Sequence, residues 1–162
     1  MKVYKLIHIL YRWKEEVVLS PKDLGFYRSL KNAQDAISYY NTCPGFCDNK
    51  DGYSITCHDI IGDVFDDIFY EVMAHFHDPD YDTEHTEYLG LYGDYDQAEA
   101  VLAEYCNNNK SLFQIDGLDA EKIVGKCIID KKYWEEGFDV VDSITIEPEQ
   151  LEKLKAQLKE DP

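Results

Sequence analysis

One stretch of this chain comes back. Leu24-Gly25-Phe26-Tyr27, followed by Ser29 and KNAQDAISYY, returns sixty-five residues later as Leu89-Gly90-Leu91-Tyr92, followed by Asp94 and YDQAEAVLAEY. At that single offset Gly25 meets Gly90, Tyr27 meets Tyr92, Ala33 meets Ala98 and Tyr40 meets Tyr105. Ala36 and Ile37 likewise meet Val101 and Leu102. Self-similarity at a fixed offset marks a repeated structural unit, and two copies point to a duplicated domain, since an open solenoid needs at least about three.

Each copy reads as strand, strand, helix, strand. Val3 to Tyr11 alternates and is rich in Val, Ile and Tyr, as a half-buried strand is. Leu24 to Arg28 is a short second strand. Ser29 caps the helix that follows, with Ala33, Ala36, Ile37 and Tyr40 forming one apolar stripe. Cys43-Pro44-Gly45-Phe46 has the residues of a type II turn. Asp51-Gly52 is a second turn and Tyr53 to Ile60 the third strand. The second copy runs Ile68 to His77, Tyr88 to Tyr92, then a helix opened by Asp94 and Gln97 as a capping box. Ala98, Val101, Leu102 and Tyr105 form its buried face, and Asn107 to Asn109 end it. Residues 110–120 read as a loop or irregular turn, and Lys122 to Ile129 as the third strand. Phe138 to Ile146 is a further candidate strand. Pro148 opens a terminal helix with Leu151, Leu154 and Leu158 on one side.

The expected fold is α+β: two tandem ββαβ units, residues 1–64 and 65–146, each an antiparallel sheet with one helix. A C-terminal helix follows over 147–162. A lone three-stranded sheet with one helix is a thin core, so the units are expected to pack as a pseudo-two-fold pair.

These motifs resemble a family of small bacterial proteins, a domain of unknown function. Its members read VYxLxH, IGxYxSxxxAxxAI, PGF and WxxGF in order. The first copy carries Val3-Tyr4-Lys5-Leu6-Ile7-His8, Leu24-Gly25-Phe26-Tyr27-Arg28-Ser29, Ala33, Ala36-Ile37 and Pro44-Gly45-Phe46. The second carries His75, Leu89-Gly90-Leu91-Tyr92, Ala98 and Trp134-Glu135-Glu136-Gly137-Phe138. The first lacks the WxxGF ending, and the second has Asn107 to Gln114 in place of PGF. The resemblance implies the fold and brings no activity with it.

Charge divides the chain unevenly. Residues 1–60 hold 8 Lys+Arg against 7 Asp+Glu, whereas 61–162 hold 8 against 26. Between Lys50 and Lys110 there is no Lys or Arg, and 15 acidic residues fall in that gap. A net charge of −17 argues against direct binding to nucleic acid or an anionic membrane. No apolar run is long enough to span a bilayer. MKVYKLIHIL carries no signal-peptide cleavage pattern, and five cysteines in no regular framework suit a reducing compartment, so a cytoplasmic protein is expected. The acidic half is either a solubilising face or a surface for a cationic partner, whose approach such a field would steer.

The chemically densest stretch is His75-Phe76-His77-Asp78-Pro79-Asp80-Tyr81-Asp82-Thr83-Glu84-His85. His75 and His77 lie two apart and point the same way on a strand. His85 returning from the hairpin would complete a candidate divalent-metal site. The spacing of Asp78, Asp80 and Asp82 has the look of a calcium loop, but Thr83 and Leu89 stand where Gly and Glu are needed. A polar hairpin with solvated or hydrogen-bonded histidines is the plainer reading, and His8, which aligns with His75, reads as a packed strand residue. Cys43 and Cys47, four apart, match neither a redox pair nor a usual zinc pair. Cys57, Cys106 and Cys127 read as small core residues. No P-loop, dinucleotide or nucleophile-elbow pattern is present.

Two function classes follow. The first is a non-catalytic binding module without a cofactor, whose acidic second copy meets a basic protein partner through Asp78, Asp80, Tyr81, Asp82, Glu84, Tyr88 and Tyr95. The second is a metal-dependent or small-molecule enzyme built on His75, His77 and His85. The expected assembly is a monomer with internal pseudo-symmetry or a weak homodimer.

Overall fold

The computed structural model describes residues 1–9, 11–12, 17–18, 21–78, 83–114 and 119–138. Strands β1 (Lys2–His8), β2 (Tyr11–Arg12), β3 (Val17–Val18) and β4 (Lys22–Tyr27) precede helix α1 (Leu30–Tyr40) and β5 (Tyr53–Ile61). β6 (Ile68–Asp78), β7 (Thr83–Tyr92), helix α2 (Tyr95–Asn108), a short 3-10 turn (Leu112–Gln114) and β8 (Asp119–Ile128) follow. The fold is α+β, as the alternation of strand-like and helix-like patterning requires. The expected terminal helix over 147–162 and most of the candidate strand 138–146 lie outside the described residues.

Six strands form one mixed sheet in the order β4-β1-β5-β7-β6-β8. β1 pairs antiparallel with β4 and β5, and β6 pairs antiparallel with β7 and β8. Two separate three-stranded sheets were expected. Instead β5 joins β7 in a short parallel ladder, Ile60 to Leu91 and Ile61 to Tyr92. At the other edge Phe26 of β4 bridges in parallel to Ile129, just past β8, with Asp130 N–H donating to the Phe26 carbonyl at 2.7 Å. The sheet therefore curls until its outer strands meet. Unpaired strand edges attract other chains, and this bridge pins the outer edge of β4 to the end of β8. β2 and β3, a two-residue ladder between β1 and β4, lay inside what reads from sequence as one longer strand and a loop.

Curling gives the sheet two faces. Inside lie Val3, Phe26, Ile60, Phe69, Leu91, Cys127 and Ile129. Outside, α1 covers Leu6, Leu24 and Tyr27 with Ala33, Ala36 and Tyr40, joined by Cys43 and Phe46. α2 covers Val72 and Tyr92 with Ala98 and Leu102. Both helices start where the sequence places them. Ser29 Oγ accepts from Asn32 N–H at 3.1 Å, and Asp94 Oδ1 accepts from Gln97 N–H at 2.9 Å. Each cap satisfies one of the orphan donors of a first helical turn.

The repeated glycines sit at β-bulges. Leu6 faces Gly25 and Ile7 faces Asp23, leaving Leu24 as the extra residue. Val72 faces Gly90 and Met73 faces Tyr88, leaving Leu89 as the extra residue. Gly25 and Gly90 take φ of 119° and 126°, a region that L side chains rarely adopt. Tyr27 and Tyr92 then donate back to the carbonyls of Leu24 and Leu89, at 2.9 and 3.0 Å. The Cys43–Phe46 turn is wider than a type II turn, with Cys47 N–H donating to the Cys43 carbonyl at 3.0 Å and Gly45 at φ 78°.

Candidate functional site

Strand alternation puts Val3, Lys5 and Ile7 of β1 on the inner face, and Phe69, Glu71, Met73, His75 and His77 of β6 with them. Lys5 Nζ donates to Glu71 Oε1 at 2.8 Å and lies 3.1 Å from Asp23 Oδ2. The Glu71 side chain is 7 % exposed and that of Lys5 18 %, so this pair sits inside the curled sheet. Burial alone would lower the Lys5 pKa. The hydrogen bond and charge of Glu71, with Asp23 adding to them, leave it above the ordinary value. Cys127 lies nearby, and burial followed by the Glu71 charge pushes its thiol up to about 12. A thiol held protonated is a poor nucleophile, so Cys127 acts here as packing. The pair was missed from sequence. Its signal is a lone charge at matched strand positions, Tyr4-Lys5-Leu6 and Tyr70-Glu71-Val72.

The three singled-out histidines do not share a face. His75 Nδ1 lies 2.8 Å from Thr86 Oγ1, and His75 and His77 point inward. His85 pairs with Phe76 across the ladder and stacks on it at 6.4 Å, which turns it to the helix side. Its Nε2 lies 3.3 Å from Glu87 Oε2. Among the described residues no group of three His, Cys, Asp or Glu side chains is placed to hold a metal ion.

The expected interaction residues also divide. Asp80, Tyr81 and Asp82 lie outside the described residues, and Asp78 and Glu84 are placed by backbone pairing to Thr83 and His77. Tyr88 faces inward, with its ring 5.9 Å from that of His58. Burial and then the Glu71 charge raise the pKa of its hydroxyl. Tyr95 opens α2 on the opposite side, packs on Tyr70 at 5.2 Å and donates to Glu99 at 2.9 Å. Of the cysteines, Cys43 and Cys127 are buried, Cys47 and Cys106 are half-buried, and Cys57 is exposed rather than in the core.

A second cluster surrounds His8. The imidazole is 1 % exposed and sits against Phe46 at 5.0 Å, Tyr53 at 4.8 Å and Phe138 at 6.2 Å. Its Nε2 lies 2.8 Å from the Asn49 carbonyl, which can only accept, so Nε2 carries the proton. Nδ1 is buried without a partner. Burial lowers the His8 pKa despite that hydrogen bond, and Lys22 adds to the lowering. The cross-strand register gives His8 the place that Ala74, not His75, holds in the second half.

The PGF and WEEGF motifs meet here, far apart in sequence. Phe138 N–H donates to the Pro44 carbonyl at 3.1 Å, and Phe138 packs on Phe46 at 4.7 Å. Tyr39 donates to the Glu135 carbonyl at 3.1 Å, and Tyr40 donates to that of Tyr133. Lys22 Nζ stands 4.7 Å from both the Trp134 and Phe138 ring centres. The motif missing from the first copy is thus supplied by the end of the second.

Comparison with family models, curated proteins and solved structures returned no match. No helix among the described residues is long and apolar enough to cross a membrane.

Proposed function

We propose that this chain is a non-catalytic cytoplasmic binding module whose second half meets a basic protein partner. The observation that carries the reading is the run from Lys50 to Lys110, which holds 15 acids and no Lys or Arg. Its described acids at Asp59, Asp63, Asp66, Asp94, Asp96, Glu99 and Glu104 are exposed. Such a field accelerates encounter with a cationic surface and disfavours anionic ones.

The scaffold of this reading is the ββαβ unit of the bacterial family its motifs resemble, here duplicated in tandem about a pseudo-two-fold axis. What supports the tandem arrangement is the recurrence of bulge, glycine, tyrosine and cap in the two halves, with reciprocal parallel joints at Ile60–Leu91 and Phe26–Ile129. On that axis Lys5 and Glu71 occupy matched positions. A symmetric dimer of single units would face like with like there, whereas one fused chain can place opposite charges.

The test is association rate against ionic strength for a partner recovered from the native host at low salt. Asp96→Lys with Glu104→Lys and Glu121→Lys slows association and flattens its salt dependence. Asp35→Lys with Asp48→Lys and Asp51→Lys, exposed in the first half, does far less, because screening over about 8 Å keeps rim charges local. Equal losses from both triples, or a wild-type rate indifferent to salt, would reduce the acidic half to solubilising surface.

A further inference from the structure

Phe65 stands out of the acidic surface. It is 73 % exposed, far more than any other large apolar residue among those described, and Ile61, four residues earlier, is 49 % exposed. Ile61 ends β5 and Phe65 lies on the connection to β6. Their neighbours behave otherwise: Val64 packs on the inner core and Phe69 is fully buried.

The tip is held rather than loose. Ile68 N–H donates to the Phe65 carbonyl at 3.0 Å, closing a tight turn whose central residues, Asp66 and Asp67, both have positive φ. That is the backbone of a type I′ hairpin turn. Asp67 is engaged by Arg28, which also lies 3.7 Å from Asp130, and the Asp67 carbonyl accepts from Ile129 N–H at 2.9 Å. The stem is fixed as well, since Gly93 N–H donates to the Ile61 carbonyl at 2.8 Å just before α2. Around this knob stand exposed Asp59 of β5, Asp63 and Asp66 on the connection, and Asp94 and Asp96 at the start of α2. Arg28 is spent on Asp67 and Asp130, Lys2 faces Asp59 across the β1–β5 ladder, and the N-terminal ammonium donates to the Ile60 carbonyl at 3.0 Å, so the acidity of the rim rests on Asp63, Asp66, Asp94 and Asp96.

We infer that Phe65, supported by Ile61, is the apolar anchor of a docking surface for a basic protein segment bearing aliphatic side chains. An aromatic centre within a charged rim is the composition of an interface hot spot, where the rim sets encounter and the anchor sets residence. Charge complementarity selects the occupant, because an acidic or neutral segment gains nothing from this rim. The inference rests on the binding-module reading but moves the contact. The Phe65 turn and Asp78 lie at opposite ends of the eleven-residue β6, roughly 35 Å apart at strand rise.

Two synthetic peptides test it: one of lysines and leucines, and its counterpart with serine for each leucine. Each is titrated into the full-length isotope-labelled chain at low salt, following backbone amide shifts. The lysine–leucine peptide binds more tightly than its counterpart, with shifts centred on 59–68 and 93–97. Phe65→Ser weakens it by at least about tenfold with an unchanged melting temperature, since hot-spot truncations cost that much or more. Equal affinity for the two peptides, unchanged affinity in Phe65→Ser, or shifts centred on 78–85 would overturn the anchor while leaving an acidic binding face. If neither peptide binds even at low salt, the basic-partner reading falls and the anchor with it.

Discussion

The two halves of this molecule carry the same strand order, bulge and helix cap, yet they are finished differently. In the first, the α1 core extends beyond the sheet to Tyr40, Cys43 and Phe46, and residues Tyr133 to Phe138 are laid across its end. In the second, α2 buries only Ala98 and Leu102 against Val72 and Tyr92, and leaves Leu89, Val101 and Cys106 half-covered. The better-covered half has 8 basic and 7 acidic residues; the rest of the chain has 8 and 26. One architecture thus serves as apolar scaffold on one side and charged surface on the other. The difference arises at one strap: the WEEGF segment, which follows the second half in sequence, lies across the end of the first.

The sharpest way to break the comparison is at the buried charged contact the halves share. Lys5→Met should cost about 3–5 kcal/mol, because Glu71 keeps its burial and loses its cation. Adding Glu71→Leu should recover most of that loss, as apolar replacement of a whole buried pair often does. Denaturant unfolding of the single and double variants measures both, and a double variant as weak as the single would show that the pair is not an isolated unit.

Next come the matched glycines. Both hold φ that only glycine takes easily, so alanine at either costs about 1–3 kcal/mol in strain. At Gly25 the added Cβ would lie 2.4 Å from the Lys131 carbonyl oxygen, whereas at Gly90 the nearest atom, the Tyr92 hydroxyl, is 3.2 Å away. Gly25→Ala should therefore be the more destabilising by at least about 1 kcal/mol, since backbone cannot yield as a side-chain tip can. Equal melting temperatures for the two variants would remove the Lys131 contact from the account.

His8 gives a pH handle that the second half lacks, having Ala74 there. Its pKa is lowered in the folded state, so its neutral form favours folding above the ordinary value of 6.5. That contribution is lost as pH falls from there through the folded value. His8→Phe should be less stable than wild type near neutral pH, having abandoned the Asn49 carbonyl. The gap should narrow as the solution is acidified toward pH of about 5. A gap that stays constant across that range of urea titrations would mean His8 titrates as it does unfolded. Smallest are the caps: Ser29→Ala and Asp94→Ala should each cost about 1 kcal/mol, and a large inequality between them would undo their equivalence.

Much of this was legible in the chain because it is local. The offset of the repeat, both helix caps and the apolar stripes of α1 and α2 depend on residues within a turn or two of one another, where spacing dictates geometry. The alternation of β1 and β6 showed which residues share a face, but not that Lys5 and Glu71 would meet, since these strands do not pair and touch only across the inside of the curled sheet, a contact that leaves no mark in either strand. His75, His77 and His85 looked convergent until the register of β6 against β7 turned His85 outward, and a one-residue difference in pairing is enough to decide that. Only the folded chain could bring Pro44 to Phe138 or close β4 against the end of β8. Those contacts answer to the curl of the whole sheet, a sum of small twists that no single segment records.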